Sequence, residues 1–295
     1  MSSDYPPGRG RTRIDAAGIE IEGVSIAGHE SFYKLPAFRV LLEFGRAPED
    51  TVGYSTICLS HGHLDHAAGL AHHASRRRLA GLPPARVFVP EDAAADIRQW
   101  VAACERLEDV SYGLDIIAAR AGQSLSLRRD LKLEFLPGRH RVPAVGYLFS
   151  ETRSKLKTEF LDRSGAEIAA LRGRGVEVTR AEEIPLLAYT GDCGVEIFDA
   201  VPGLFSAKVL LIECSFLLPE DLDRARGYGH LHLDDFLERS DLFQNEAIVL
   251  THFSQRYRPE EIRAALGRLP ARLAMRVIPF LPGISVERFD SPAVL

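Results

Sequence analysis

The apolar and polar positions of this chain fall into two rhythms. Ile19 to Ile26 begins by alternating isoleucine with glutamate, while Phe38 to Phe44, Ser55 to Leu59 and Val87 to Val89 are short runs rich in β-branched and aromatic residues. Both patterns predict strands. Leu114 to Phe135 reads as short strands with turns at Gly122 and at Arg129-Asp130, and further strands are expected at Tyr147 to Phe149, Leu186 to Tyr189, Val209 to Ile212 and Ala247 to Leu250. Helical spacing appears from Ala67 to Leu79. It recurs from Asp92 to Leu107, where Ile97, Trp100, Val101, Cys104 and Leu107 make one stripe expected to face the core. A third helix is expected to start at Ser164, whose spacing to Glu167 is that of a capping box. Two more are expected near Leu233 to Leu242 and Pro259 to Leu266. Strands come first in each half, and strands mixed with helices follow. That order predicts an α/β protein with two packed mixed sheets and helices outside.

Residues 1–13 are expected to be a flexible tail, because Pro6-Pro7-Gly8 interrupts regular structure and Arg9, Arg11 and Arg13 keep it solvated. Residues 14–295 then form one domain. With 46% hydrophobic and 26% charged residues over 295 positions, the chain has enough apolar material to fold, which excludes disorder as its main state. No apolar run approaches the roughly 20 residues that cross a bilayer, and the first residues hold no apolar stretch of the signal-peptide kind. No membrane association is expected. The four cysteines are isolated, so free thiols in a reducing, cytoplasmic setting are expected rather than a disulfide framework. The net charge of −5 argues against holding nucleic acid by bulk charge.

The chemistry concentrates in Ser60-His61-Gly62-His63-Leu64-Asp65-His66, immediately after the apolar run Ile57-Cys58-Leu59. Three imidazoles and a carboxylate crowd into six residues where a strand ends and a helix begins. Nitrogen and oxygen donors of this kind suit zinc and its neighbours. Three later strands also end in polar clusters: Thr190-Gly191-Asp192, Glu213-Cys214-Ser215 and Thr251-His252.

This HxHxDH stretch resembles that of the metallo-β-lactamase superfamily, which implies an αββα four-layer sandwich with a dinuclear metal site. The resemblance places the remaining ligands at His140, Asp192 and His252. One cation would be held by His61, His63 and His140, the other by Asp65, His66 and His252, with Asp192 shared. Three further segments resemble ribonuclease Z, closest to its plant short form: His140-Arg141-Val142-Pro143-Ala144-Val145-Gly146-Tyr147, Glu213-Cys214-Ser215-Phe216 followed by Gly229-His230, and Thr251-His252-Phe253-Ser254-Gln255-Arg256-Tyr257. Phe44-Gly45-Arg46-Ala47-Pro48 and Arg153 to Phe160 add to the likeness, which spans about residues 20–283.

The resemblance implies a zinc-dependent endoribonuclease that removes 3′ trailers from precursor tRNA by attack of metal-activated water on a phosphodiester. It implies two Zn2+ ions, with Mn2+ as a substitute, and a homodimer. Asp65 would orient the water, and the Glu213–His230 couple would protonate the leaving oxygen. A lactamase or a glyoxalase II-type thioesterase is not expected to carry that couple. An arm is expected at about 151–180, but the interval between His140 and Asp192 holds no Gly-Pro pair, unlike the long arm with which many relatives grip tRNA. That departure keeps open a general phosphodiesterase acting on small or cyclic nucleotide diesters. The arm is nevertheless locally basic, and Lys155, Lys157, Arg256 and Tyr257 are candidate substrate contacts. Glu43 stands where the family commonly has aspartate. His29, His72, His73 and His232 match no ligand position, with His72 and His73 expected to be solvated or to support the ligands. Cys193 is passed over as a ligand in favour of Asp192, and Arg76-Arg77-Arg78 reads as a wet helix face.

Overall fold

The computed structural model describes residues 10–46, 48–283 and 285–286; Ala47 and most of the expected tail lie outside the described residues. The boundary drawn at residue 13 falls inside a strand. This is β1 (Thr12–Ala16), where Thr12, Ile14 and Ala16 are buried and Arg13 and Asp15 exposed. After it come β2 (Ile19–Ile26), β3 (Glu30–Leu35), β4 (Val40–Leu42), β5 (Thr56–Cys58), β6 (Arg86–Pro90) and β7 (Asp115–Ala119), side by side in chain order. The pairs from β1 to β4 are antiparallel, and those from β4 to β7 parallel.

The second sheet repeats this plan. It comprises β8 (Ser124–Arg128), β9 (Leu131–Pro137), β10 (Val145–Leu156), β11 (Thr179–Tyr189), β12 (Val209–Glu213), β13 (Ala247–Thr251) and β14 (Val277–Pro279). Pairing is antiparallel up to β11 and parallel beyond it. A final strand, β15 (Ser285–Val286), adds in parallel to β1 and makes the first sheet eight-stranded against seven in the second. β12 and β13 are buried at all positions, as parallel strands covered on both faces should be.

One apolar cluster lies between the sheets, joining Tyr33, Leu42 and Phe88 of the first to Phe135, Tyr147 and Val249 of the second. Two others lie on the outer faces: one beneath the helices Leu70–Leu79 and Ala94–Glu108, the other beneath Leu233–Glu238 and Pro259–Leu266. The result is the expected αββα sandwich. Tyr147 crosses it, its hydroxyl donating to the Leu59 carbonyl at 2.6 Å.

Several elements differ from expectation. The helix expected over Ala67 to Leu79 is two, Leu64–Ala67 and Leu70–Leu79. In the stripe of the next helix Ile97 and Val101 are buried, but Leu107 is 88% exposed. The helix ends one residue later, and its last turn, Arg106 to Glu108, is exposed. β3 escaped the pattern because all six of its residues are buried, so no alternation marks it. β10 and β11 run well beyond Tyr147–Phe149 and Leu186–Tyr189. Past Glu151, the last β10 residue paired with β9, they form a two-stranded ribbon, pairing Thr152 with Glu183 through Leu156 with Thr179. That ribbon, tipped by the helix Gly165–Gly173, is the arm. Ser164 caps the tip helix with the reciprocal Glu167 bond expected from the sequence.

Arg77 and His73 also depart from expectation. Arg77 is 3% exposed and donates to the carbonyls of Val52, Tyr54 and Pro83, tying down the loops on either side of its helix. His73 is 1% exposed, with Nε2 3.2 Å from the Tyr54 carbonyl and its ring edge-on to Phe44. Burial pushes its pKa down to about 4. The unfolded chain therefore takes up a proton on His73 below its ordinary value of about 6.5, while the native state does so only near pH 4. Stability carried by His73 is present above pH 6.5 and lost as pH falls towards 4. The expected loss is about 3 kcal/mol. Urea melts from pH 7 to pH 4.5 on wild type and His73→Gln check this: the variant should show the shallower pH dependence, and equal slopes would contradict it.

Candidate metal centre

The parallel strands of both sheets end on one rim, and the loops leaving them carry the polar clusters. In an open α/β sheet such carboxyl-terminal ends are where backbone and side chains are free to converge on a ligand. β5 leads to His61, His63, Asp65 and His66, and β9 leads to His140. β11, β12 and β13 lead to Asp192, to Glu213 and Ser215, and to His252.

Close packing requires particular backbone here. Gly191 has φ +63°, and a Cβ on it would lie 2.3 Å from Ser60 Cβ, so the Asp192 turn nests against the histidine-rich loop only because residue 191 is glycine. Glu43 and His252 take left-handed φ values of +57° and +58° without being glycine. Such backbone costs about 1–2 kcal/mol per residue and turns both side chains into the site.

The expected metal ligands meet in two adjacent groups, with Asp192 of the first facing the second. His61, His63, His140 and Asp192 bring one donor atom each to within 4.8 Å of one another, and so do Asp65, His66 and His252. Asp192 Oδ2 lies 3.7 Å from His61 Nε2, 3.5 Å from His66 Nε2 and 3.4 Å from His252 Nε2, placing it between the groups. Asp65 Oδ2 is 3.6 Å from both His66 Nε2 and His252 Nε2. It also accepts from the Gly28 amide at 2.8 Å.

The donor set fits divalent cations on three counts. It is nitrogen and carboxylate oxygen throughout, as zinc and manganese accept. His140 Nε2 is buried without a hydrogen-bond partner, while its Nδ1 is 3.1 Å from the Gly229 carbonyl; the tautomer with Nδ1–H leaves Nε2 as a free donor pair aimed into the group. The charge balance is also short of cations. Burial favours the neutral imidazole of His66, yet Asp192, Glu43 and Asp65 hold its pKa up to about 10. Burial likewise opposes ionisation of Asp192, but His252, His66 and His61 keep it well below the usual carboxylate range.

Glu213 and His230 form a pair beside these groups. His230 Nδ1 is 2.7 Å from Glu213 Oε1, and burial, which lowers the pKa of His230, is outweighed by that carboxylate, which raises it to about 9. Glu213 is wholly buried and also accepts from the Cys193 amide at 2.8 Å and the Ser215 hydroxyl at 2.6 Å. Cys193 thus supports Glu213 through its backbone, consistent with its being passed over as a ligand.

Three supporting residues were not singled out from sequence. Ser215 Oγ lies 3.0 Å from His252 Nδ1 while donating to Glu213, so one hydroxyl links a candidate ligand to the partner of the candidate acid. Ser25 accepts from the His252 amide at 2.8 Å, and Gly28 contacts Asp65 as above. Ser215 was visible in its motif; Ser25 and Gly28 lie some 227 and 37 positions from their partners and gave no local sign. Glu43, the carboxylate in place of the family's common aspartate, has Oε2 3.4 Å from His66 Nδ1. His232 caps the helix Leu233–Glu238 through its side chain.

The expected substrate contacts do not gather at the centre. Arg256 and Tyr257 both bind Asp221, Arg256 Nη2 at 3.0 Å and Tyr257 through its hydroxyl. Arg256 also lies over the Phe216 ring at 5.6 Å. Lys155 and Lys157 sit on the arm, 3.2 Å from Glu182 and 3.3 Å from Glu177. Arg153 and Arg163 pair there with Glu151 and Glu167, leaving Arg172, Arg174 and Arg180 without an ion-pair partner among the described residues. The arm is therefore less cationic towards a partner than its composition suggests, because four of its cations pair with neighbouring acids, two along the chain and two across the ribbon.

The comparisons with known proteins agree with this geometry. Residues 31–253 match the family described as beta-lactamase superfamily domain. The chain is 32% identical to tRNase Z TRZ1 of Arabidopsis thaliana over 269 residues, covering 90% of this chain and 96% of that protein. It is 30% identical to the chloroplastic tRNase Z TRZ2 of the same plant, covering 93% and 80%. Among solved structures, human tRNase Z, short form, shares the fold with a TM-score of 0.54 at 18% identity, over 80% of this chain and 92% of that one. With the site's ligand groups and the extent of these matches taken together, the chain belongs to the beta-lactamase superfamily and, within it, to the tRNase Z family of metal-dependent hydrolases.

Proposed function

We propose that the protein is an endoribonuclease that removes 3′ trailers from precursor tRNA, using two Zn2+ ions, or Mn2+ in their place. The observation that carries this reading is the Glu213–His230 pair beside the ligand groups, its carboxylate wholly buried, which a hydrolase of activated esters does not need. Cations held by His61, His63, His140 and Asp192 on one side, and by Asp65, His66, His252 and Asp192 on the other, would supply Lewis acidity to the phosphate and make water nucleophilic near neutral pH. Asp65, fixed by the Gly28 amide, orients the attacking water and accepts its proton. Glu213 holds His230 through Nδ1, so the proton that leaves is the one on Nε2. As the new P–O bond forms, the bond to the 3′ oxygen breaks and that oxygen takes the His230 proton. The products are an RNA ending in 3′-OH and a trailer beginning with 5′-phosphate.

The net charge of −5 does not oppose this reading, since two dications would offset most of it at the place where RNA is handled. The arm, with Lys155 and Arg180 on its ribbon, Lys157 just past the ribbon's end and Arg172 and Arg174 at its tip helix, is the substrate-binding element in this reading. Arg256 and Tyr257 act indirectly, by bracing Asp221. A homodimer and a cytoplasmic location complete it; the four free cysteines suit a reducing compartment, and among the described residues no helix is long and apolar enough to cross a membrane.

The test is to incubate zinc-loaded protein with a precursor tRNA carrying a 3′ trailer and to map the cut. A single cut at the trailer boundary, leaving 3′-OH and 5′-phosphate, is expected. Hydrolysis of cyclic nucleotides or small diesters with the precursor left whole would favour the general phosphodiesterase instead.

A further inference from the structure

Beside the ligand groups opens a cleft of about 210 Å³, lined by His63, His140, Arg141, Val142, Tyr228 and His230. Three of these residues are accounted for by the proposed chemistry. Arg141 and Tyr228 are not, and the fold has no visible use for them. Tyr228 ends the helix Leu222–Tyr228 and is 52% exposed, outside every apolar cluster. Arg141 is exposed and has no ion-pair partner among the described residues. Its guanidinium lies over the Tyr228 ring, 5.9 Å from the centroid.

The pair is nevertheless built. Gly229 follows Tyr228 with φ +72°, and a Cβ there would lie 3.0 Å from Arg141 Cγ and 3.6 Å from His140 Nδ1. The Gly229 carbonyl is also the group 3.1 Å from His140 Nδ1. One stretch of backbone thus positions a candidate metal ligand, the aromatic ring and, one residue on, the candidate acid His230. The cleft is smaller than the roughly 300–1,000 Å³ of a drug-sized site, which suits one planar group and no duplex. An aromatic face with an unneutralised guanidinium is how proteins hold an unpaired nucleotide, by stacking the base and attracting its phosphate.

We infer that Arg141 and Tyr228 form a clamp for a single unpaired nucleotide, the one that keeps the 3′ oxygen released on cleavage. The assignment follows from His230. The group that protonates the leaving oxygen lines this cleft, so the nucleotide bearing that oxygen lies in it. Tyr228 stacks that base, and Arg141 presents its charge to the phosphate on its 5′ side. This inference rests on the ribonuclease reading above and adds the subsite that reading lacks: a local grip, independent of the arm, that places the scissile bond.

The experiment uses two precursor RNAs that differ only at the nucleotide 5′ of the cut, which carries its base in one and is abasic in the other. Wild type, Tyr228→Ala and Tyr228→Trp are compared at full metal loading, checked by elemental analysis, with Tyr228→Phe as a second ring-keeping variant. On the intact RNA, Tyr228→Ala should lose about tenfold or more in kcat/KM, while the aromatic variants stay near wild type. On the abasic RNA, wild type should fall by a similar factor and Tyr228→Ala should fall no further. Arg141→Ala should reduce the slope of log affinity against log salt by about 0.7, the loss of one phosphate contact on a single strand. Equal fractional losses on both RNAs, or none on the intact one, overturn the clamp alone. A wild type that hydrolyses bis(p-nitrophenyl) phosphate yet leaves both RNAs whole overturns the clamp and the ribonuclease reading together.

Discussion

Asp192→Asn is expected to cost the protein its metal as well as its activity. The carboxylate lies 3.4–3.7 Å from imidazole nitrogens of both ligand groups, so its removal withdraws a donor and a negative charge from each. Asparagine keeps the volume and one oxygen, which separates loss of charge from loss of packing. The side chain is 3% exposed, and without cation or carboxylate balance the surrounding imidazoles repel one another when protonated. Metal content measured by elemental analysis should fall well below that of wild type. Turnover on precursor RNA should drop by about three orders of magnitude or more, since metal activation is worth several kcal/mol and each 1.36 kcal/mol is a factor of ten. Wild type stripped with a chelator should match the variant, and zinc should restore only the wild type. A variant that retained two equivalents and near-normal turnover would remove Asp192 from its bridging place.

His230→Ala should do the opposite, keeping the metal and losing the chemistry. His230 belongs to neither of the two main ligand groups, and Glu213, its partner, is held independently by the Cys193 amide and the Ser215 hydroxyl. The expected loss on precursor RNA is about 10²–10⁴-fold in turnover, the range for a positioned general acid. The leaving 3′ oxygen of RNA needs a proton, whereas p-nitrophenolate departs as an anion. The same variant should therefore lose far less on bis(p-nitrophenyl) phosphate. Equal losses on both substrates would mean that His230 serves the phosphate or the metals and not the leaving group. Asp192 is one of a third group of potential donors with His230 and His252, so the metal measurement is needed to separate these roles.

Much of the site was legible in the chain because its residues sit where strands end. The apolar runs Ile57–Leu59, Leu186–Tyr189 and Ala247–Leu250 each stop at a polar cluster, and each cluster proves to lie on the same rim. Ligand chemistry forced that pattern: imidazoles and carboxylates cannot be buried in the middle of a strand without partners. Where local pattern misled, packing was the reason. The Arg76-Arg77-Arg78 run looks like solvent-facing charge, but the helix turns Arg77 inward, where three loop carbonyls accept its hydrogen bonds. Leu107 belongs to the apolar stripe by spacing and to solvent by position, since the last turn of the helix, which carries it, is exposed.

The arm shows the same division. Its composition is basic, but register decides what that charge can do. Pairing places Arg153 opposite Glu182 and Lys155 opposite Arg180, and Lys155 reaches Glu182. Side chains counted as free along the chain neutralise one another across the ribbon. Surface pairs of this kind contribute little to stability, yet they lower the field an RNA would meet.

By itself the sequence determined the layered α/β architecture and showed imidazoles and carboxylates clustered at strand ends, because periodicity and strand-end chemistry are local properties; the full set of candidate ligands followed from the family resemblance. It could also mark Glu213 and His230 through their motifs. Only the tertiary structure decided how near Asp192 stands to the imidazoles of both groups, that Ser215 joins His252 to Glu213, and that Arg141 meets Tyr228 across 87 positions of chain. Those relations depend on two sheets bringing distant loops onto one rim, and on a few left-handed residues that let them touch. No window of sequence contains both sides of such a contact.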